Sequence, residues 1–157
     1  MALRAPQVRV EGITVVAGNV PLEQGLRNAL YTVELCGADT PVYQGAGSPL
    51  ERELETAEFF HGEDGLGDQG YPAPTLQPAN GHATDALIEA VRANPGIVLV
   101  TLGPLTNLAL ALARAPDIAA AVGRCVVMGG AACTVGNITP AAEFNLWVDP
   151  EAAEIVF

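Results

Sequence analysis

The residues best suited to binding chemistry are two carboxamides and one carboxylate that lie close together in the chain: Asn137, Glu143 and Asn145. Carboxamides donate and accept hydrogen bonds and a carboxylate accepts them, which suits a site that holds neighbouring hydroxyl groups. Residues 136–145 are predicted to be a loop after a buried strand, where polar side chains are more often functional than on a helix face. The alternative is that this polar loop is simply solvated.

The composition and net charge of the chain limit the classes of partner that it can bind. The chain has 157 residues, which suits one domain, and 50% of them are hydrophobic, which allows a sizeable core. Its net charge of −11 would repel nucleic acid and anionic membranes. A small neutral or cationic ligand remains compatible with this charge.

The cysteines and the apolar segments favour a cytoplasmic protein. The three cysteines are odd in number and none forms a CxxC pair, so we expect neither a disulfide framework nor a zinc site. The first ten residues have no apolar core of the kind found in signal peptides, so we expect no signal peptide. Residues 97–115 are apolar, but Gly103, Pro104 and Asn107 interrupt them, which favours a buried strand and a helix over a membrane span.

Strand and helix patterns alternate along the chain. Strands are predicted at residues 9–16, 41–44, 97–102 and 125–128, and helices at 21–36, 84–93, 105–114, 118–122 and from Asp149 onward. Gly37 is predicted to end the first helix, His82 or Thr84 to cap the second, and Asp149 with Pro150 to begin the last. Residues 48–81 show no sustained period, and so long an irregular segment usually has a functional or bridging role.

This alternation predicts an α/β fold: a Rossmann-like, mostly parallel open sheet with flanking helices. Ligands of such sheets bind beyond the carboxyl ends of the strands. Asn19 follows the first strand, residues 103–107 follow the third, and residues 137–145 follow the fourth. The sequence therefore predicts a small-molecule site where these segments meet.

Motifs spread along the whole chain resemble the inosine-uridine-preferring nucleoside hydrolases. The matching segments are GITVVAGN at 12–19, HGEDGLG at 61–67, LGPLTNLA at 102–109, VMGG at 127–130, and AEFN at 142–145 followed by DPEAA at 149–153. Each is weak alone, but together they follow the order and spacing of the family. The resemblance implies that residues 1–157 form a partial nucleoside hydrolase domain.

The resemblance implies hydrolysis of the N-glycosidic bond of ribonucleosides at a Ca²⁺ site that holds the attacking water and the ribose hydroxyls. By position, Asn137 and Glu143 would bind the 5′-hydroxyl side of the ribose, and Asn145 the 2′/3′ edge. Asn19 would lie beside the metal, and the backbone carbonyl of Leu102 would be a calcium ligand. His61 would approach the base. A loop histidine that bonds to backbone is the alternative for His61.

The resemblance is incomplete in the residues that carry the reaction. The family's DxDxGxDD motif, which supplies calcium ligands and the general base, has no counterpart, and the first aspartate of this chain is Asp39. The family's later calcium-binding aspartate and its histidine acid also lack counterparts. No catalytic residue is therefore assigned. We expect an incomplete nucleoside hydrolase that is inactive alone, with the apolar edges of its strands exposed.

Other functions are compatible with the same residues. One is a different glycosidase or ribosyl-transferring hydrolase on the same scaffold. Another is a non-catalytic ribose- or nucleoside-binding module that keeps Asn137, Glu143 and Asn145 without the metal, and a third is a degenerate fragment. By analogy with the family, the complete protein would be a homo-oligomer.

Overall fold

A computed structural model describes residues 1–157. Its strands are β1 (Ile13–Val15), β2 (Val42–Gln44), β3 (Val98–Thr101) and β4 (Arg124–Val127). Its helices are α1 (Leu22–Cys36), α2 (Glu58–His61), α3 (Ala83–Ala93), α4 (Thr106–Arg114), α5 (Phe144–Val148) and α6 (Pro150–Val156), with 3₁₀ turns at Ala2–Arg4 and Pro116–Ala121. No helix is long and apolar enough to cross a membrane.

The predicted helix ends are confirmed at three positions. Gly37 ends α1 in the left-handed conformation, with φ of 61°. The side chain of His82 accepts a hydrogen bond from the Thr84 N–H at the start of α3. Asp149 caps α6 by accepting from the Ala152 N–H, and Pro150 occupies the first turn, where a missing N–H costs nothing.

The sheet is parallel but consists of two separate pairs. β1 pairs with β2, and β3 pairs with β4. The pairs approach each other beyond their carboxyl ends: a Cβ added to Gly18 would lie 2.9 Å from Cδ of Pro104, and one added to Gly103 would lie 3.3 Å from Cγ1 of Val16. The predicted α/β parallel architecture is confirmed, and the carboxyl ends of β1 and β3 meet at one edge.

The buried apolar residues form small clusters under individual helices. Val15 and Val42 pack against Leu26, Leu30 and Val33 of α1. A second cluster lies among α3, α4 and the turn at Pro116–Ala121, and a third joins α4 to α6 through Ala109 and Ala152. α4 therefore lies at the centre of the fold.

Side chains in the first turn of α4 connect separate segments of the chain through hydrogen bonds. The Thr106 hydroxyl donates to the carboxylate of Asp149, which is 0% exposed. That carboxylate also accepts from the N–H groups of Leu50 and Ala152. Asn107 donates to the Val15 carbonyl of β1 at 2.9 Å and accepts from the Ala46 N–H at 2.8 Å. The buried side chains of Thr106 and Asn107 therefore hold separate chain segments together.

Several predicted boundaries differ from the structure. The first strand covers only Ile13–Val15 of the predicted 9–16, and α4 begins at Thr106, so Pro104 lies before the helix. The predicted helix at 118–122 is a 3₁₀ turn at Pro116–Ala121. Two helices are absent from the sequence prediction. These are α2 and α5, both too short to show a helical period.

One face of β3 and β4 is uncovered, contrary to the prediction of a fully buried interior strand at 97–102. Val98 and Val100 are 55% and 60% exposed, and Val126 of the neighbouring strand and Met128 just after it are also exposed. Helices cover only the opposite face, which carries Leu99. The exposed valines agree with the prediction that apolar parts of the strands are exposed, whereas Val15 of β1 is buried beneath α1.

We expect this uncovered face to drive self-association. Replacing Val98, Val100 and Val126 by threonine keeps strand propensity and adds hydroxyls to a surface that parallel sheets normally bury. The triple variant is expected to shift the chain from aggregate toward monomer in size-exclusion chromatography with light scattering. The control is Leu35→Thr, which changes an exposed leucine on α1. A monodisperse parent chain with one steep denaturant transition would contradict the expectation.

Thr106→Val should destabilise the fold because it leaves the buried Asp149 carboxylate short of a donor. Loss of a hydrogen bond to a buried charged group costs about 1.5–3 kcal/mol. Thr106→Ser restores the hydroxyl and should recover most of the free energy of unfolding in denaturant melts, with all variants made in the triple threonine background. Equal losses in the valine and serine variants would show that the threonine methyl group, rather than the hydroxyl, matters.

Candidate functional site

Asn145 lies where β3 and β4 end. Its Nδ2 group donates to the Met128 carbonyl at 3.1 Å, makes a longer contact of 3.4 Å with the Leu102 carbonyl, and lies 3.1 Å from the Met128 sulfur. The predicted loop is partly wrong here, because Asn145 belongs to the first turn of α5 and is 6% exposed. The structure thus brings together Asn145 and the Leu102 carbonyl.

These contacts fix the orientation of the Asn145 amide. Rotating the amide by half a turn would place its oxygen against two carbonyl oxygens, which repel it. The Oδ1 atom accepts no hydrogen bond, and it is not among the fully enclosed side-chain atoms that lack a partner. Asn145 therefore offers an oriented acceptor to a hydroxyl or amine.

Glu143 caps α5 and anchors the glycine turn after β4. Its Oε1 accepts from the Asn145 N–H at 3.0 Å. Its Oε2 accepts from the Gly130 N–H at 3.0 Å and the Leu146 N–H at 3.3 Å. The carboxylate is buried, so these bonds offset its loss of hydration. A carboxylate has about four acceptor positions, which leaves capacity for one more donor.

Asn137 shapes the same segment from an exposed position. Its side-chain oxygen accepts from the Phe144 N–H at 2.8 Å, and its backbone N–H donates to the Ala142 carbonyl. The side-chain amide nitrogen makes no hydrogen bond within the chain. Asn137 and Glu143 therefore both hold the start of α5, and Asn137 keeps a free donor.

Asn19 and His61 are connected through backbone. Asn19 follows β1, its side chain is exposed, and its carbonyl accepts from the Ala57 N–H at 2.9 Å. Ala57 precedes α2, which ends at His61. The His61 ring packs edge-on against Phe60 at 5.0 Å and makes no hydrogen bond, so the alternative in which His61 bonds to backbone gains no support.

Residues 103–107 contribute no exposed side-chain polar group. Thr106 and Asn107 are buried and hold the fold together, as described above. The predicted polar group after the third strand is therefore structural. What this strand end presents to the site is the Leu102 carbonyl.

The sequence prediction missed Met128 and Gly130. Met128 supplies a carbonyl and a sulfur to Asn145, and Gly130 supplies an N–H to Glu143. The sequence feature that could have revealed these two residues is the Gly129–Gly130 pair, which directly follows a predicted strand. A Cβ on Gly129 would lie 3.2 Å from the Leu146 side chain and 3.4 Å from the Glu143 carboxylate, so a larger residue here would press on α5.

The residues at this edge do not form a calcium site by themselves. Calcium takes about six to eight oxygen ligands, several of them carboxylates. No group of three or more His, Cys, Asp or Glu side chains is placed to hold a metal ion. The Glu143 carboxylate already bonds to backbone N–H groups, and the Leu102 carbonyl is a single ligand.

Comparison with known proteins shows the family of this chain. The sequence profile described as inosine-uridine preferring nucleoside hydrolase matches residues 1–157. The chain belongs to this family. It is 46% identical over 159 residues to the pyrimidine-specific ribonucleoside hydrolase RihA of a Shewanella species, covering 100% of this chain and 50% of that protein. Uridine nucleosidase 1 of Arabidopsis thaliana is 42% identical over 160 residues, covering 100% and 48% respectively.

Solved nucleoside hydrolases share the fold. A plant nucleoside hydrolase superposes with a TM-score of 0.94 at 42% identity, covering 99% of this chain and 50% of that one. A purine-preferring ribonucleoside hydrolase from Gardnerella vaginalis superposes with a TM-score of 0.93 at 37% identity, covering 99% and 51%. The chain spans about half the length of the curated relatives that it matches.

Glu143→Ala should destabilise the segment around α5, because it removes the acceptor for several backbone N–H groups. Loss of a helix cap costs about 0.5–2 kcal/mol. The control is Glu53→Ala, which removes an exposed carboxylate in an irregular segment. Denaturant melts in the triple threonine background should show a lower midpoint for Glu143→Ala alone, and equal midpoints would exclude the capping role.

Proposed function

We propose that this chain forms the ribose-binding part of a ribonucleoside N-glycosidase. The observation that carries the proposal is the Asn145 amide, whose nitrogen is held by backbone carbonyls at the ends of β3 and β4 and whose oxygen is left free to accept. Membership of the nucleoside hydrolase family supports the same reaction. Names of relatives include both uridine nucleosidases and purine-preferring hydrolases, so the proposal covers ribonucleosides as a class.

The reaction adds water across the bond between the ribose C1′ and the base nitrogen. The water oxygen bonds to C1′, the C–N bond breaks, and the departing base takes up a proton. Positive charge develops on the ribose ring in the transition state, as in other glycoside hydrolysis. Carbonyl and amide oxygens around the ring stabilise that charge, and this edge of the sheet presents them from Leu102, Met128 and Asn145.

The resemblance to the nucleoside hydrolase family suggests a role for each side chain, and free hydrogen-bonding capacity supports the roles of Asn145, Asn137 and Glu143. Asn145 accepts from a hydroxyl at the 2′/3′ edge of the ribose. Asn137, with its free amide nitrogen, and Glu143, with remaining acceptor capacity, bind the 5′-hydroxyl side. Asn19 lies beside the reacting centre, and His61 contacts the base.

The wider proposal concerns the complete protein. Calcium is proposed as its metal, with the Leu102 carbonyl as one ligand, and no step of the reaction is assigned to the ion because these residues do not form its site. A reducing cytoplasmic setting is supported by the free cysteines Cys36, Cys125 and Cys133. A homo-oligomer is proposed by analogy with the family.

The test uses a chimera in which residues 1–157 replace the matching segment of the Shewanella hydrolase. The chimera is expected to release ribose from uridine. Asn145→Leu should lower kcat/KM roughly five- to hundredfold, because leaving a buried hydroxyl unpaired costs about 1–3 kcal/mol. The control is Asn80→Ala, an exposed amide in the irregular segment, which should leave kcat/KM unchanged.

The 157-residue chain alone is expected to release no ribose, since the one carboxylate at the site, Glu143, is engaged with backbone N–H groups and is assigned to the 5′-hydroxyl side. Chelator-sensitive ribose release by this chain would contradict that expectation. A chimera that binds ribose with Asn145-dependent affinity but does not hydrolyse uridine would favour the non-catalytic binding module instead.

A further inference from the structure

The segment that carries His61 has little to hold it except specific hydrogen bonds. α2 is four residues long, has no buried residue and no side-chain cap. Phe59 and Phe60 are 78% and 79% exposed. A helix this short is unstable by itself, because the free energy needed to nucleate a helix exceeds the stabilisation from the hydrogen bonds of a single turn. The position of His61 must therefore be set by contacts on either side of α2.

The loop after α2, residues 62–68, closes on itself. The Asp64 carboxylate accepts from the Leu66 N–H at 2.7 Å and the Asp68 N–H at 2.9 Å, while Asp68 accepts from the Asp64 N–H. These backbone bonds hold the pKa of Asp64 below its ordinary value. The Gly67 N–H donates to the His61 carbonyl at 2.8 Å. The loop is thus one unit joined directly to His61.

Two amides on α1 hold this unit. Asn28 Nδ2 donates to the Asp64 carbonyl at 2.8 Å, and Gln24 Nε2 contacts the same carbonyl at 3.3 Å. Gln24 also donates to Asn28 Oδ1 at 2.9 Å, which orients the Asn28 amide with its nitrogen toward the loop. A Cβ on Gly65 would lie 2.7 Å from Val20, so the loop is seated directly against the start of α1.

α1 therefore links both sides of the candidate site. It begins shortly after Asn19, whose carbonyl holds Ala57 ahead of α2. Gln24 and Asn28, on the same helix, hold the loop that follows α2. His61 lies between these two attachments. Any movement of the loop relative to α1 would move His61 relative to Asn19.

We propose that Gln24 and Asn28 are positioning residues for the nucleobase side of the site: their bonds to the Asp64 carbonyl fix the loop at 62–68 and thereby His61. This rests on the proposed function in one respect, the contact of His61 with the base. Neither amide touches the substrate. The internal hydrogen bonds of the loop hold the Asp64 carbonyl where the two amides of α1 bond to it.

The test variant is Asn28→Asp, which keeps the size and the oxygen that accepts from Gln24 but removes the donor to the Asp64 carbonyl. The control is Arg27→Gln, an exposed change on the same helix with no hydrogen bond to the loop. Hydrogen exchange by mass spectrometry over residues 62–69 is measured in the chimera. Exchange should be roughly two- to tenfold faster in Asn28→Asp, the equivalent of one hydrogen bond, and unchanged in Arg27→Gln.

The kinetic readout separates positioning from general damage to the fold. In the chimera, Asn28→Asp should raise KM for uridine roughly two- to tenfold and leave kcat nearly unchanged, because a base contact present in both ground and transition states affects binding alone. His61→Ala should raise KM similarly, and the double variant should add little to either single variant.

The outcomes are distinct. Unchanged exchange in Asn28→Asp would overturn the proposed contact between α1 and the loop. Faster exchange with unchanged KM would overturn the positioning role while leaving the proposed function intact. An inactive parent chimera would overturn the proposed function and the positioning role with it, and the exchange result would still decide whether Asn28 holds the loop.

Discussion

The fold depends most on the two polar residues at the start of α4. Thr106 bonds to the buried Asp149 carboxylate, and Asn107 bonds to the β1 carbonyl of Val15 and to the backbone after β2. One helical turn thereby connects the β1–β2 pair, the segment around Leu50 and the start of α6. Each of these groups is out of contact with water, so losing one partner would leave another buried and unpaired. The small apolar clusters are too dispersed to impose this arrangement alone.

The candidate site depends on the pairing of β3 with β4. Because these strands pair in register up to Thr101 and Val127, the Leu102 and Met128 carbonyls lie together and orient the Asn145 amide. Glu143 then secures α5 through backbone N–H groups at both the glycine turn and the helix start. The polar side chains of the site are thus positioned chiefly by backbone atoms, and the glycine turn favours this because Gly130 has a φ of 81°.

One face of the β3–β4 pair is uncovered, and the residues present do not form a metal site by themselves. Parallel sheets are normally covered on both faces, and here one face carries exposed valines. The relatives that match this chain are about twice its length. In the proposed reaction, the residues of this chain would supply hydroxyl acceptors and a positioned loop, and carboxylates would be needed in addition to them.

The sequence by itself determined the α/β class, the ends of α1, α3 and α6, and the family. Those features rest on local patterns: an apolar period, a capping side chain, a glycine at a positive φ, or a motif. Only the tertiary structure decided that Asn107 is structural, that Asn145 lies on a helix, and that Val98 and Val100 face outward while Val15 is buried. These outcomes depend on which segment packs against which, and the same asparagine or valine has the same local preference in either setting. Short helices such as α2 and α5 escape prediction for a related reason, because tertiary bonds rather than helical periodicity hold them.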